Sequence, residues 1–121
     1  MWDINARSGP VYRQIAKRIE GFIAKGDWPP GFKMPSVKDV AKEAGINPNT
    51  VVAAYADLEQ RHIIEKRRGL GAYVLDHVDV SDLRSRLFDQ AHRDYLSTLY
   101  DLGIPLTEAI DRLSKENEID R

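Results

Sequence analysis

Cysteine is absent from this chain, so no disulfide and no thiolate-held metal can support the fold. Apolar runs are too short to span a bilayer, and the N-terminus has no signal-peptide pattern, so a cytoplasmic location without membrane contact is expected. Phosphate loops, nucleophile elbows and paired-carboxylate motifs are missing as well. The three histidines, His62, His77 and His92, lack metal-ligand spacing. Asp89, His92 and Asp94 lie close in sequence, but the two aspartates, five apart, fall on different faces of a helix. We therefore expect no catalysis, no cofactor and no metal site. Strong net charge is also lacking: the total is −1.

At 121 residues and 42% hydrophobic content, the chain can build one domain plus an extension without covalent staples. Its charge is unevenly spread. Residues 1–76 carry a net charge of +3 and residues 77–121 a net charge of −4. The first part can approach a polyanion, whereas the second would be repelled by one and should point away from it. The expected division is therefore 1–76 for binding and 77–121 for something else.

The stretch from Met34 to Tyr55 has the pattern of two capped helices joined by a tight turn. Ser36 can accept from first-turn amides, and Asp39 can reach back to the cap amide and face the positive helix end. Gly45 is the residue suited to the left-handed exit from that helix. Asn47 caps the next one, Pro48 fits its first position, and the helix should run to about Arg61. This is a helix-turn-helix, whose second helix typically enters a DNA groove.

Two short helices need a third to bury them. Tyr12, Ile15, Ala16, Ile19, Phe22 and Ile23 form an apolar stripe, with Arg13, Gln14, Lys17, Arg18 and Glu20 on the other side. Pro10 opens this helix and it closes before Gly26. Beyond Arg61 the period changes. Ile63–Lys66 and Ala72–Leu75 are expected as strands flanking the basic, glycine-rich loop Arg67-Arg68-Gly69-Leu70-Gly71. Such a hairpin is a wing. Trp28 is expected to pack the turn before the second helix, and Trp2 with Ile4 to form an edge strand against the wing.

If Val51, Ala54, Tyr55 and Leu58 face inward, then Asn49, Thr50 and Ala53 face the groove near the helix start. Asn49 can pair with adenine, and the Thr50 and Ala53 methyls can touch a thymine methyl. Arg67 and Arg68 can meet phosphates or the minor groove, with Gly69 and Gly71 allowing close backbone approach. Ser36 and Asn47 join this DNA-facing set, although capping alone accounts for Asn47.

Several separated motifs at matching spacing resemble the DNA-binding domain of the GntR family of bacterial transcription regulators. These are Pro10-Val11-Tyr12-Arg13-Gln14-Ile15, Pro30-Gly31-Phe32-Lys33-Met34-Pro35-Ser36, Asn47-Pro48-Asn49-Thr50-Val51 and Gly69-Leu70-Gly71-Ala72-Tyr73-Val74. Ala54-Tyr55, Leu58-Glu59 and the short C-terminal region are similar to the YtrA subfamily. The resemblance places Lys38 where family members carry an arginine, which keeps the charge but loses bidentate geometry. Val52 and Ala53 stand where the recognition helix usually carries one. Subfamily members commonly repress operons for transport systems, so repression of such an operon is the implied role.

In the acidic part, Leu83, Leu87, Phe88, Ala91, Tyr95, Leu99 and Leu102 recur at helical spacing after a Ser81 cap, until Gly103. Ile104-Pro105 turns the chain, and Leu106, Ala109, Ile110 and Leu113 stripe a second helix ahead of a frayed polar tail, Ser114 to Arg121. Two striped helices need a partner. A second copy is the economical one, giving a twofold dimer matched to a palindromic operator with half-sites about 34 Å apart or a multiple. The expected architecture is mainly α with a small antiparallel β hairpin, a winged helix-turn-helix followed by a two-helix dimerisation region. Residues 77–121 are too few to wrap a drug-sized cavity of about 300 Å³, so an effector, if any, would use the dimer interface. The alternative is a winged helix used for protein interaction, favoured by the missing recognition-helix arginines and opposed by Arg67-Arg68.

Overall fold

Local capping chemistry sets most element boundaries. The computed structural model describes residues 1–5 and 7–119. In order they form α1 (Val11–Lys25), α2 (Val37–Ala44), α3 (Pro48–Gln60), β1 (Ile64–Arg67), β2 (Gly71–Val74), α4 (Val80–Leu102) and α5 (Leu106–Ile119). The chain is mostly helical and divides into two compact units, Met1–Arg84 and Ser85–Arg121.

In the N-terminal unit, α3 packs on α1, on α2 and, toward its end, on β1. Its core joins Ile15, Ile19 and Ile23 of α1, Val40 of α2, and Val51, Ala54, Tyr55 and Leu58 of α3 to Ile64 and Val74 of the hairpin, all buried. Placing these side chains out of water is the main favourable term for a small domain with no covalent staple. Glu20, expected on the polar side of α1, is instead buried. It is accommodated because Arg61, just past the end of α3, donates to its carboxylate at 2.7 Å.

The hairpin forms with Ile64 opposite Val74 and Lys66 opposite Ala72. Both strands lie slightly off their expected spans. Ile63 is still tied to the helix end through its amide to the Leu58 carbonyl, so the ladder begins one residue later. The turn out of α3 is made by His62 in the left-handed region (φ +60°) rather than by a glycine. Lys33 adds an isolated bridge to Tyr73, which extends the sheet on the β2 side.

Trp2 is not part of any strand. Its ring meets Phe22 edge-on at 5.6 Å and Trp28 at 6.5 Å, and its indole N–H donates to Glu43. A large amphipathic ring gains more by covering α1 and reaching α2 than by pairing at a sheet edge. Trp28 is buried against Phe22 and Phe32, as expected for the turn before α2.

The cap of α4 is Asp79, whose carboxylate accepts from the Asp82 amide at 2.9 Å, so Ser81 lies inside the helix. Leu83 is buried as part of the N-terminal unit. Within the C-terminal unit, Gly103 (φ +67°) ends α4 and the Ile104 amide returns to the Leu99 carbonyl. Leu99 and Ala109 are buried. Leu83 and Leu99 are therefore spent inside the chain, which corrects their assignment to a face held out to a partner. Leu87 is half-buried and Ala91 exposed. Phe88, Tyr95, Leu102, Leu106, Ile110 and Leu113 are all exposed. The expected frayed tail is also corrected: α5 continues to Ile119, helped by an i,i+4 pair between Asp111 and Lys115 at 3.0 Å. The last two residues of that tail, Asp120 and Arg121, lie outside the described residues.

Candidate nucleic-acid interface

The turn between α2 and α3 is built from short-range contacts. Ser36 Oγ accepts from the Asp39 amide at 3.0 Å, which opens α2. Gly45 (φ +70°) ends it, in a conformation that a Cβ would strain. Asn47 Oδ1 accepts from the Asn49 amide at 2.8 Å, and Pro48 takes the first helical position. A longer contact holds the two helices in register: the buried Tyr55 hydroxyl donates to the Pro35 carbonyl at 2.7 Å. Burial pushes this phenol well above its ordinary pKa, so it stays protonated and remains a donor. The residue ahead of Ser36 is thereby pinned to the middle of α3.

With Val51, Ala54, Tyr55 and Leu58 closed against the core, α3 leaves Asn49, Val52, Ala53 and Ala56 exposed and Thr50 half-buried. The open face therefore holds Asn49 and Ala53 as expected. It also holds Val52, 43% exposed, an apolar side chain at the centre of that face. Lys38 is exposed on the first turn of α2.

A cleft of about 340 Å³ separates the start of α2 from the wing, and its walls include Ser36, Val37, Tyr55, Lys66, Arg68 and Gly69. Arg67 and Gly71 also border it. Five of the expected DNA-facing residues thus meet around one groove: Ser36, Arg67, Arg68, Gly69 and Gly71. Lys38, Asn47, Asn49, Thr50 and Ala53 do not line it. Gly71 adopts φ +106°, where the backbone of the loop reverses. The groove combines the amide-rich start of a helix with cations, a combination that favours an anion.

Sequence reasoning missed Lys66 and the tethering of Arg67. Strand alternation contained the signal for the lysine, since it puts Lys66 on the same side of β1 as the buried Ile64. Arg67 Nε donates to Glu65 at 2.8 Å, its guanidinium lies 4.0 Å from the centre of the Tyr73 ring, and Asp76 is 3.7 Å away. The Glu65 hydrogen bond is the leading reason this guanidinium sits above its ordinary pKa. Only the hairpin register brings these groups together.

Residues 11–74, from the first residue of α1 to the last of the wing, match the family described as bacterial regulatory proteins, gntR family. The chain belongs to the GntR family. It is similar to the HTH-type transcriptional regulator YhcF of Bacillus subtilis (strain 168), with 30% identity over 112 residues covering 92% of this chain and 93% of that protein. It is 38% identical over 88 residues to the HTH-type transcriptional repressor YtrA of the same organism, covering 72% of this chain and 68% of that one. Among solved structures, a GntR family transcriptional regulator from Listeria monocytogenes superposes with a TM-score of 0.80 at 31% identity, covering 93% of this chain and 98% of the other. This GntR protein is a YtrA-like, DNA-binding transcription regulator rather than an enzyme. Among the described residues, no helix is long and apolar enough to cross a membrane.

Proposed function

We propose that this GntR regulator is a repressor that binds a palindromic operator as a homodimer, with genes for a transport system as its target class. DNA reading belongs to residues 1–76 and pairing to residues 77–121. One observation carries this reading. The start of α3 presents Asn49 and Ala53 to solvent, with Thr50 half-buried beside them, while the opposite side of the helix is closed. A helix held this way can insert its N-terminal residues into a major groove, with Asn49 positioned to read an adenine edge. Ser36 and Lys38 at α2, and Arg68 with Gly69 and Gly71 at the wing, hold the sugar-phosphate backbone on either side. Asn47 contributes by capping, since its side-chain oxygen is engaged by the Asn49 amide.

Pairing is supported by the apolar face of the C-terminal unit, where Phe88, Tyr95, Leu102, Leu106, Ile110 and Leu113 are exposed together. Two copies would match the symmetry of an inverted repeat. Repression is supported by the likeness to YtrA, which is named a repressor.

The test is footprinting and mobility shift on a selected operator. Asn49→Ala should relax discrimination at one base position by about 1–3 kcal/mol while preserving the fold. Unaltered sequence preference would remove Asn49 from the reading face. Absence of protection on any duplex at low salt would instead favour a protein-interaction role for the winged helix.

A further inference from the structure

The cations of the wing are not equivalent, and the hairpin register separates them. We propose that Lys66 and Arg68 hold duplex phosphates, whereas Arg67 is a positioning residue that braces the wing and contacts no DNA. This division of labour rests on the DNA-binding reading above and assigns its residues at the wing.

Alternation along β1 and β2 puts Lys66 and its partner Ala72 on the side of the sheet that carries the buried Ile64 and Val74. On this side Lys66 and Ala72 border the cleft beside Ser36 and Tyr55. The Lys66 amide donates to the Glu59 carboxylate at 3.1 Å, which anchors this point of the strand to the last turns of α3. Glu65, Arg67 and Tyr73 stand on the other side. Arg67 borders the cleft as well, but its guanidinium is held on the other side, where it stacks on Tyr73, bonds Glu65 and faces Asp76, three partners that do not line the cleft.

An isolated surface ion pair holds little, but three contacts converge here on one guanidinium. Swinging Arg67 to a phosphate would break all three together and leave two carboxylates uncompensated near a polyanion. Arg68 has no such cost. It is exposed at the loop, and among the described residues it makes no hydrogen bond or ion pair. Adjacent arginines that look interchangeable in sequence are therefore assigned opposite duties, and a lysine that precedes them joins the binding set.

The experiment measures binding of the full chain to a mixed-sequence duplex across a salt series. Each phosphate contact contributes about 0.9 to the slope of log affinity against log salt. Arg68→Ala and Lys66→Ala should each lower the slope by about that amount. Arg67→Ala should leave it unchanged while speeding hydrogen exchange at the amides of Gly69 to Ala72, which neither of the other variants should do. Tyr73→Leu keeps every cation and should reproduce the faster exchange without loss of slope. The proposal is overturned if Arg67→Ala lowers the slope as much as Arg68→Ala does, or if Lys66→Ala leaves it intact. A parent chain with no salt-dependent binding would instead withdraw the DNA-binding reading itself, a result distinct from any pattern among the variants.

Discussion

The two units treat apolar surface in opposite ways. In Met1–Arg84, three helices and a hairpin surround a centre, and side chains such as Ile15, Ile19, Val40, Val51 and Leu58 have no exposed area. In Ser85–Arg121, Leu99 and Ala109 are buried while a row of larger residues remains in water. The reason is geometric. Two helices share one seam, and a stripe wider than that seam keeps an open flank. The large apolar side chains that the N-terminal unit leaves most exposed are Met1 at the chain start, Val52 on the open face of α3 and Leu70 in the wing loop. One unit thus closes its apolar surface within itself, and the other leaves an open flank, the surface proposed above for pairing.

This contrast can be broken most completely at the C-terminal unit. Ile110→Asp places a charge on its open face and should abolish pairing, so that sedimentation reports half the parent mass while circular dichroism of the N-terminal unit is retained. An unchanged mass would show that this face is not the pairing surface. Next in size is Leu58→Ala, which empties a fully buried site and should cost about 2–5 kcal/mol in denaturant unfolding, whatever the protein concentration. A smaller loss, about 1–3 kcal/mol, is expected for Arg61→Ala, because it strands the Glu20 carboxylate in the core. The matching change Glu20→Gln should cost less, and equal losses would mean that burial of the pair is not what matters. Smallest is Asn47→Ala, about 1 kcal/mol through loss of the α3 cap. Comparison with Asn49→Ala, which should alter base preference and leave stability alone, separates capping from reading.

Much of the N-terminal unit was legible because its instructions are local. Ser36, Gly45, Asn47 and Pro48 act on amides within four residues, so their spacing alone places the ends of α2 and α3. The exposed face of α3 followed from the apolar period of Val51, Ala54, Tyr55 and Leu58. What escaped was non-local. Glu20 looks like any solvated carboxylate until Arg61, 41 positions away, is folded against it. Trp2 shows no sequence sign that Glu43 and Phe22 will receive it. Arg67 and Arg68 read as a uniform basic tip because the partners that divide them, Glu65, Tyr73 and Asp76, are gathered only by the strand register. At α4, Asp79 and Ser81 competed as caps within one turn, and the carboxylate prevailed, an outcome in keeping with its stronger attraction to the helix start. The helical tail to Ile119 was hidden by a polar composition that also suits a frayed end.

The most direct test of the central claim is selection of bound fragments from random-sequence DNA by the full chain. Paired copies presenting two equivalent α3 helices should enrich an inverted repeat whose half-sites lie about one helical turn apart, or a whole multiple of it, with an adenine preference that disappears in Asn49→Ala. Enrichment of a lone half-site, or no enrichment above the starting pool, would contradict it.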